Sequence, residues 1–205
     1  LLLSSPRIHE DSLKRIRSML GSSGPPVDVE LLVRLAGEQD VASIIFSCIR
    51  MNELQELFPK EFLARVENLY HWTLARNMRN SEETLRLIDL CCDKGVPVIS
   101  LKGAIASDVI FGDAGSYPSS DIDLLVNEED FEELEKILLD DRYEKRSPDC
   151  LDSSSRSSYH SIFCRDGNVI EPHWNLVVRY FRAKPSFWWE KTEMLRYRAS
   201  EIIQL

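Results

Sequence analysis

A chain of 205 residues with 43% hydrophobic and 29% charged residues can bury a sizeable core, which excludes a disordered or fibrous polymer. Its formal net charge of −9 and pI near 5.0 repel a phosphate backbone and argue against coating of extended duplex nucleic acid. No run approaches the roughly 20 apolar residues of a spanning helix, and Leu1-Leu2-Leu3 is too short for a signal-peptide core, so no membrane role and a cytoplasmic location are expected.

The chain carries five cysteines, Cys48, Cys91, Cys92, Cys150 and Cys164. They are odd in number and lack paired metal spacing, so reduced thiols are expected rather than a disulfide framework or a zinc site. Basic residues recur in two segments, Arg142, Lys145, Arg146, Arg156 and Arg165 in one, Arg179, Arg182 and Lys184 in the other, and could form local patches. There is no initiating Met, and Glu201-Ile202-Ile203-Gln204-Leu205 reads as an apolar strand cut short. A piece of a longer protein is expected, truncated at the C-terminus of its second half.

In chain order, residues up to about Lys94 read as helices, since apolar positions recur at helical spacing. Leu31, Leu32 and Leu35 mark one segment after Val27-Asp28-Val29, and Val41, Ile44, Ile45, Cys48 and Ile49 a second. Pro59 introduces the longest. Its stripe runs through Phe62, Val66, Leu69, Tyr70, Leu74, Met78, Leu85, Ile88 and Cys92 to Gly95, with a break expected near Asn80-Ser81 where Ser81 and Glu83 or Thr84 can start a new turn. A helical lobe over residues 1–95 follows.

After Gly95 the texture changes. Val96 to Leu101 is a short apolar run suited to a buried strand, Ala104 to Ile110 look helical, and Asp121 to Val126 form a second strand. Asn127-Glu128-Glu129-Asp130 opens a helix carried by Phe131, Leu134, Ile137 and Leu138, with acidic residues where the helix dipole favours them. Tyr143 begins another strand, Ser147 to Ser158 reads as a loop, and Ser161 to Cys164 and Val169 to Glu171 flank Asp166-Gly167, a hairpin signal. Residues 96–205 should therefore form a small mixed sheet with helices, an α+β core preceded by the helical lobe.

Three elements carry chemistry. Asp121 and Asp123 are two residues apart in an apolar strand, so their side chains share one face. Asp-x-Asp alone is a weak signal, because most such pairs end an edge strand in solvent. In a central strand, however, two neighbouring carboxylates need a cation, and hard ions such as Mg2+ or Mn2+ take oxygen ligands while keeping positions open for phosphates. The second element is the turn Leu101-Lys102-Gly103-Ala104, from strand to helix, where free amides and the Lys102 ammonium can hold phosphate. The third is Glu171, at the end of Val169-Ile170 and before Pro172-His173-Trp174, placed to complete a metal site or to accept a proton.

Leu101-Lys102-Gly103, Pro118-Ser119-Ser120-Asp121-Ile122-Asp123-Leu124-Leu125-Val126 and Ile170-Glu171-Pro172-His173-Trp174 together resemble the uncharacterised bacterial nucleotidyltransferase family of the polymerase-beta-like superfamily. The similarity extends into the helical region through Leu35-Ala36 and Ala75-Arg76-Asn77. The resemblance implies a polymerase-beta-like fold in which Asp121, Asp123 and Glu171 are the catalytic, metal-binding carboxylates. It implies phosphate-binding roles for Lys102 and Gly103, with Ser119 and Ser120 as further donors, and it leaves His173 equally open to a role supporting the metal ligands or orienting substrate and to a structural one. The implied reaction moves a nucleoside monophosphate from an NTP, with ATP expected, to an unknown hydroxyl-bearing acceptor. Ala104 stands where the superfamily has Ser, Tyr117 where the family has Arg, and Glu171 where Asp is usual. Ala104 and Tyr117 motivate an alternative, a catalytically weak nucleotide-binding or protein-interaction module. His9, His71 and His160 lack such context and read as ordinary.

Overall fold

The computed structural model describes residues 8–20, 28–146, 160–176, 186–190, 192–197 and 200–204. The expected loop at 147–158, Cys150, and the basic residues Arg156, Arg179, Arg182 and Lys184 lie outside them. The described chain is α+β. Four helices come first, α1 (Glu10–Leu20), α2 (Val29–Glu38), α3 (Ala42–Met51) and α4 (Lys60–Asp93), with a short 3-10 turn at Gln55–Leu57. They are followed by β1 (Val98–Ser100), α5 (Ala104–Phe111), β2 (Ile122–Val126), α6 (Phe131–Asp140), β3 (Glu144–Lys145), β4 (Phe163–Arg165), β5 (Asn168–His173), α7 (Ser186–Trp189), β6 (Glu193–Tyr197) and β7 (Ser200–Gln204).

Contacts divide the chain into two compact units, residues 1–79 with 104–119, and residues 80–103 with 120–205. The lobes expected at 1–95 and 96–205 follow sequence texture, whereas these units are discontinuous in sequence.

In the first unit Asp28 caps α2, its carboxylate accepting the Leu31 amide at 3.0 Å, which satisfies one of the unpaired amides of the first turn. Ile16, Val33, Phe46, Ile49, Leu54, Phe58, Phe62, Val66 and Tyr70 form its apolar core. Each of the larger side chains contributes roughly 1.5–3 kcal/mol by leaving water.

The expected break in α4 is absent, since the helix runs unbroken from Lys60 to Asp93. Thr84 does not start a new turn because its hydroxyl bonds back to the Asn80 carbonyl at 2.7 Å, four residues earlier, which keeps it inside the helix. The buried line also departs from the apolar stripe. Leu69 and Met78 are exposed, while Thr73, Asn77, Asn80, Ser81 and Thr84 are buried together with Leu87 and Cys91. Helical spacing holds, but polar side chains continue the line.

Thr73, Asn77 and Thr84 find hydrogen-bond partners, whereas the buried Ser81 hydroxyl finds none among the described residues. Thr73 and Ser43 share a hydrogen bond of 2.7 Å. Asn77 donates to the carbonyls of Ala114 at 2.6 Å and Tyr117 at 2.7 Å and accepts the Ser119 amide at 3.1 Å. Asp113 accepts from Ser47 at 2.5 Å, Arg50 at 2.7 Å, Tyr70 at 2.7 Å and the Gly115 amide at 3.0 Å. Segment 113–119 is thereby pinned by side chains in place of regular structure.

The second unit carries a mixed sheet of order β3-β4-β5-β2-β1-β7-β6 among the described residues. β2 lies in its interior, antiparallel to β1 and parallel to β5, and all five of its residues are buried. The Asp-Gly signal is realised as the β4–β5 hairpin, with positive φ at Asp166 (49°) and Gly167 (80°), the combination a type I′ turn requires. Asp121 lies just before β2 and Tyr143 just before β3, each one residue outside the strand expected for it. Behind the sheet residues, Glu83 of α4 accepts from Tyr143 at 2.5 Å, Arg86 at 2.6 Å and Arg165 at 3.0 Å. Arg165 also reaches Asp141 at 2.5 Å, so the network ties α4 to β4 within the unit.

Candidate functional site

The site grows out of the sheet register. In the parallel β2–β5 ladder Asp123 stands directly opposite Glu171, and Leu125 opposite His173. Directly opposed residues and their second neighbours share a face, so Asp123, Glu171 and His173 project together. On the other side of β2 the Leu101 amide donates to the Asp123 carbonyl at 3.2 Å. That bond brings the end of the β1 segment, and with it Lys102, beside the two aspartates. Gly103 follows with φ 97°, a conformation costly for any residue with a Cβ, and the chain turns into α5.

The distances are those of a tight polar cluster. One ligand atom each from Asp123, Glu171 and His173 lie within 4.8 Å of one another. His173 Nε2 is 3.0 Å from Asp123 Oδ1 and 3.9 Å from Glu171 Oε2. Lys102 Nζ lies 3.0 Å from Asp123 Oδ2 and 4.0 Å from Asp121 Oδ1. Asp123 is only 1% exposed. Burial disfavours its charge, but hydrogen bonds from His173 and Lys102 outweigh burial and hold its carboxyl below the usual range. Glu171 moves the opposite way, since burial and the neighbouring Asp121 and Asp123 push its carboxyl up. The cluster is rich in negative charge and accommodates a cation, the Lys102 ammonium, against both aspartates.

The remaining expected residues fall as follows. Asp121 is half-buried at the margin of the cluster, and Ser120, exposed, places its hydroxyl 3.2 Å from Asp121 Oδ1. Ser119 is buried in the first unit with its amide on Asn77. His160, which reads as ordinary in sequence, lies against the site. Its ring centroid is 5.1 Å from that of His173 and the two residues form an isolated antiparallel bridge. A single His before the alternating run 161–164 carried no signal of this, because the bridge to residue 173 is a long-range pairing. Beyond the site, Trp174 packs edge-on against Phe131 with centroids 4.6 Å apart, anchoring the chain that leaves β5.

The donor set suits a hard divalent cation. Its oxygens come from Asp123 and Glu171, with Asp121 adjacent and an imidazole nitrogen beside them, and its charge is under-compensated by one lysine. No helix among the described residues is long and apolar enough to cross a membrane. Comparison with curated proteins and with solved structures returned no match. A family model described as an uncharacterised nucleotidyltransferase matches residues 25–202, most of the chain, and the protein belongs to that family.

Proposed function

We propose that this chain is a metal-dependent nucleotidyltransferase that moves a nucleoside monophosphate from an NTP, with ATP as the first donor to test, to a hydroxyl-bearing acceptor. The observation that carries this is the opposition of Asp123 and Glu171 on adjacent interior strands, with His173 and Lys102 on the same cluster. Asp121, Asp123 and Glu171 would hold Mg2+ or Mn2+, which supplies charge neutralisation at the phosphates and polarises the phosphoryl oxygens. His173 fixes the Asp123 carboxylate through a 3.0 Å hydrogen bond, limiting its rotation. Lys102 has a largely exposed side chain, so its ammonium can move from the aspartates to the triphosphate, with Gly103 beside it as the second proposed phosphate-binding residue. In the reaction the acceptor oxygen bonds to the α-phosphorus, the bond to pyrophosphate breaks, and the hydroxyl proton is released. A cytoplasmic setting belongs to the same proposal.

Triphosphate and the carboxylates repel one another unless a divalent ion lies between them. Thermal-shift titration should therefore show little stabilisation by ATP in EDTA and a clear rise in Tm with ATP and Mg2+ or Mn2+. Asp123→Asn should remove most of that rise. Full metal-dependent stabilisation of Asp123→Asn would place the nucleotide elsewhere and favour a catalytically weak binding module.

A further inference from the structure

A concavity in the first unit uses none of the residues of the carboxylate cluster. It has a volume of about 550 Å³ and is lined by α4, by the turn between α2 and α3, and by the segment at Pro118. That volume is in the range of small-ligand sites. Three of its lining residues, Trp72, Arg76 and Arg79, are spaced four and three residues apart on α4 and so form one helix face. Trp72 is 77% exposed, a large aromatic surface left in water at the wall of a cavity. Arg76 and Arg79 are exposed beside it. The floor holds the hydroxyls of Ser43 and Thr73, 2.7 Å apart and buried, and Asp40 lines another part of the wall.

These groups divide the labour of recognising a particular kind of molecule. An exposed indole offers a flat face on which a heteroaromatic ring stacks whatever its hydrogen-bonding edge. Two guanidinium groups present forked donors that match a phosphate. The Asp40 carboxylate accepts from hydroxyls or amines, and the Ser43 and Thr73 hydroxyls serve as donors or acceptors. A phosphate alone would leave the indole unused, and an apolar ligand would make no use of the Arg76 guanidinium.

We propose that this cavity is a second ligand site, for a nucleotide monophosphate unit, a base and sugar bearing one phosphate, either free or at the end of an oligonucleotide. The site needs no metal, because its cations are arginines, and it uses none of the carboxylates around Asp123. It therefore does not depend on the assignment of the metal cluster.

The test is isothermal titration of the full chain with adenosine 5′-monophosphate in EDTA. Saturable binding is expected, with adenosine alone and inorganic phosphate alone each binding more weakly. Trp72→Leu and the double change Arg76→Gln with Arg79→Gln should each weaken it about tenfold or more, while Asp123→Asn should leave it unchanged. All three side chains are exposed, so the variants should keep the wild-type Tm. A 5′-phosphorylated oligoribonucleotide binding more tightly than the mononucleotide, with the same dependence on Trp72 and the arginines, would assign the site to a nucleic-acid end. The reverse order would assign it to a free nucleotide. No saturable binding in EDTA, binding that survives both sets of changes, binding that disappears in Asp123→Asn, or equal binding of O-phosphotyrosine would overturn the proposal.

Discussion

Asp113 and Asp123 are both buried aspartates, 8% and 1% exposed, and both are held ionised below the ordinary carboxylate range. Their company differs. Asp113 is surrounded by donors, namely Ser47, Tyr70, Arg50 and the Gly115 amide, and it fixes the irregular segment after α5. Asp123 is surrounded by carboxylates, with Glu171 opposite and Asp121 two residues away, and receives Lys102 and His173. A buried charge whose partners are neutral donors and an arginine is complete as it stands. One that shares its site with further anions is costly unless a cation joins it. Burial and a lowered pKa do not distinguish these two aspartates, whereas the sign of the neighbouring charge does.

The largest expected effect comes from Asp123→Asn. Removing one ligand charge should lower metal-dependent nucleotidyl transfer on the order of a hundredfold or more, measured as pyrophosphate release, without loss of folding. Transfer within a few-fold of wild type would end the functional half of the comparison.

Asp113→Ala should act on stability. It strands Ser47, Tyr70 and Gly115 and leaves Arg50 without its 2.7 Å partner, and because Arg50 is half-exposed the cost should be about 2–4 kcal/mol, at or below the lower part of the range for breaking a fully buried pair. Denaturant unfolding checks this, and a loss under about 0.5 kcal/mol would show that the segment is held by other means.

Glu171→Gln should move stability the other way. It removes a carboxylate whose charge is disfavoured by burial and by the neighbouring Asp121 and Asp123, so the metal-free protein should gain stability, read as a higher Tm in EDTA. A lowered Tm in EDTA would mean that Glu171 contributes more through its contacts than it costs through its charge.

The smallest effect is in pH dependence. The folded pKa of Asp113 lies below its ordinary 3.8, so its stabilisation is complete above the unfolded pKa and is lost as pH falls through the folded one. The stability gap between wild type and Asp113→Asn should therefore shrink as pH is lowered from about 5. A gap that widens in acid would contradict the assigned direction.

Periodicity carried the local structure well where apolar residues line one face, as in the Phe62, Val66, Tyr70 line of α4 and the Asp-Gly hairpin. It failed at Asn80-Ser81, where polar residues read as a helix end but are buried inside an unbroken helix. The reason is that Thr84 finds its partner one turn back and Glu83 finds Tyr143 and Arg165, and the latter pairings are invisible in the local pattern.

The apolar strand carrying Asp123 with Asp121 just before it, the turn at Lys102-Gly103 and the strand ending near Glu171 were legible from residue type and spacing, because apolar runs and glycine at a turn are local properties. That Asp123 faces Glu171, that Lys102 lies on the aspartates, that His160 borders His173, and that Trp72, Arg76 and Arg79 line a cavity were decided only by tertiary structure. Strand order and register depend on which of several apolar segments bury one another, and that choice is a property of the whole chain.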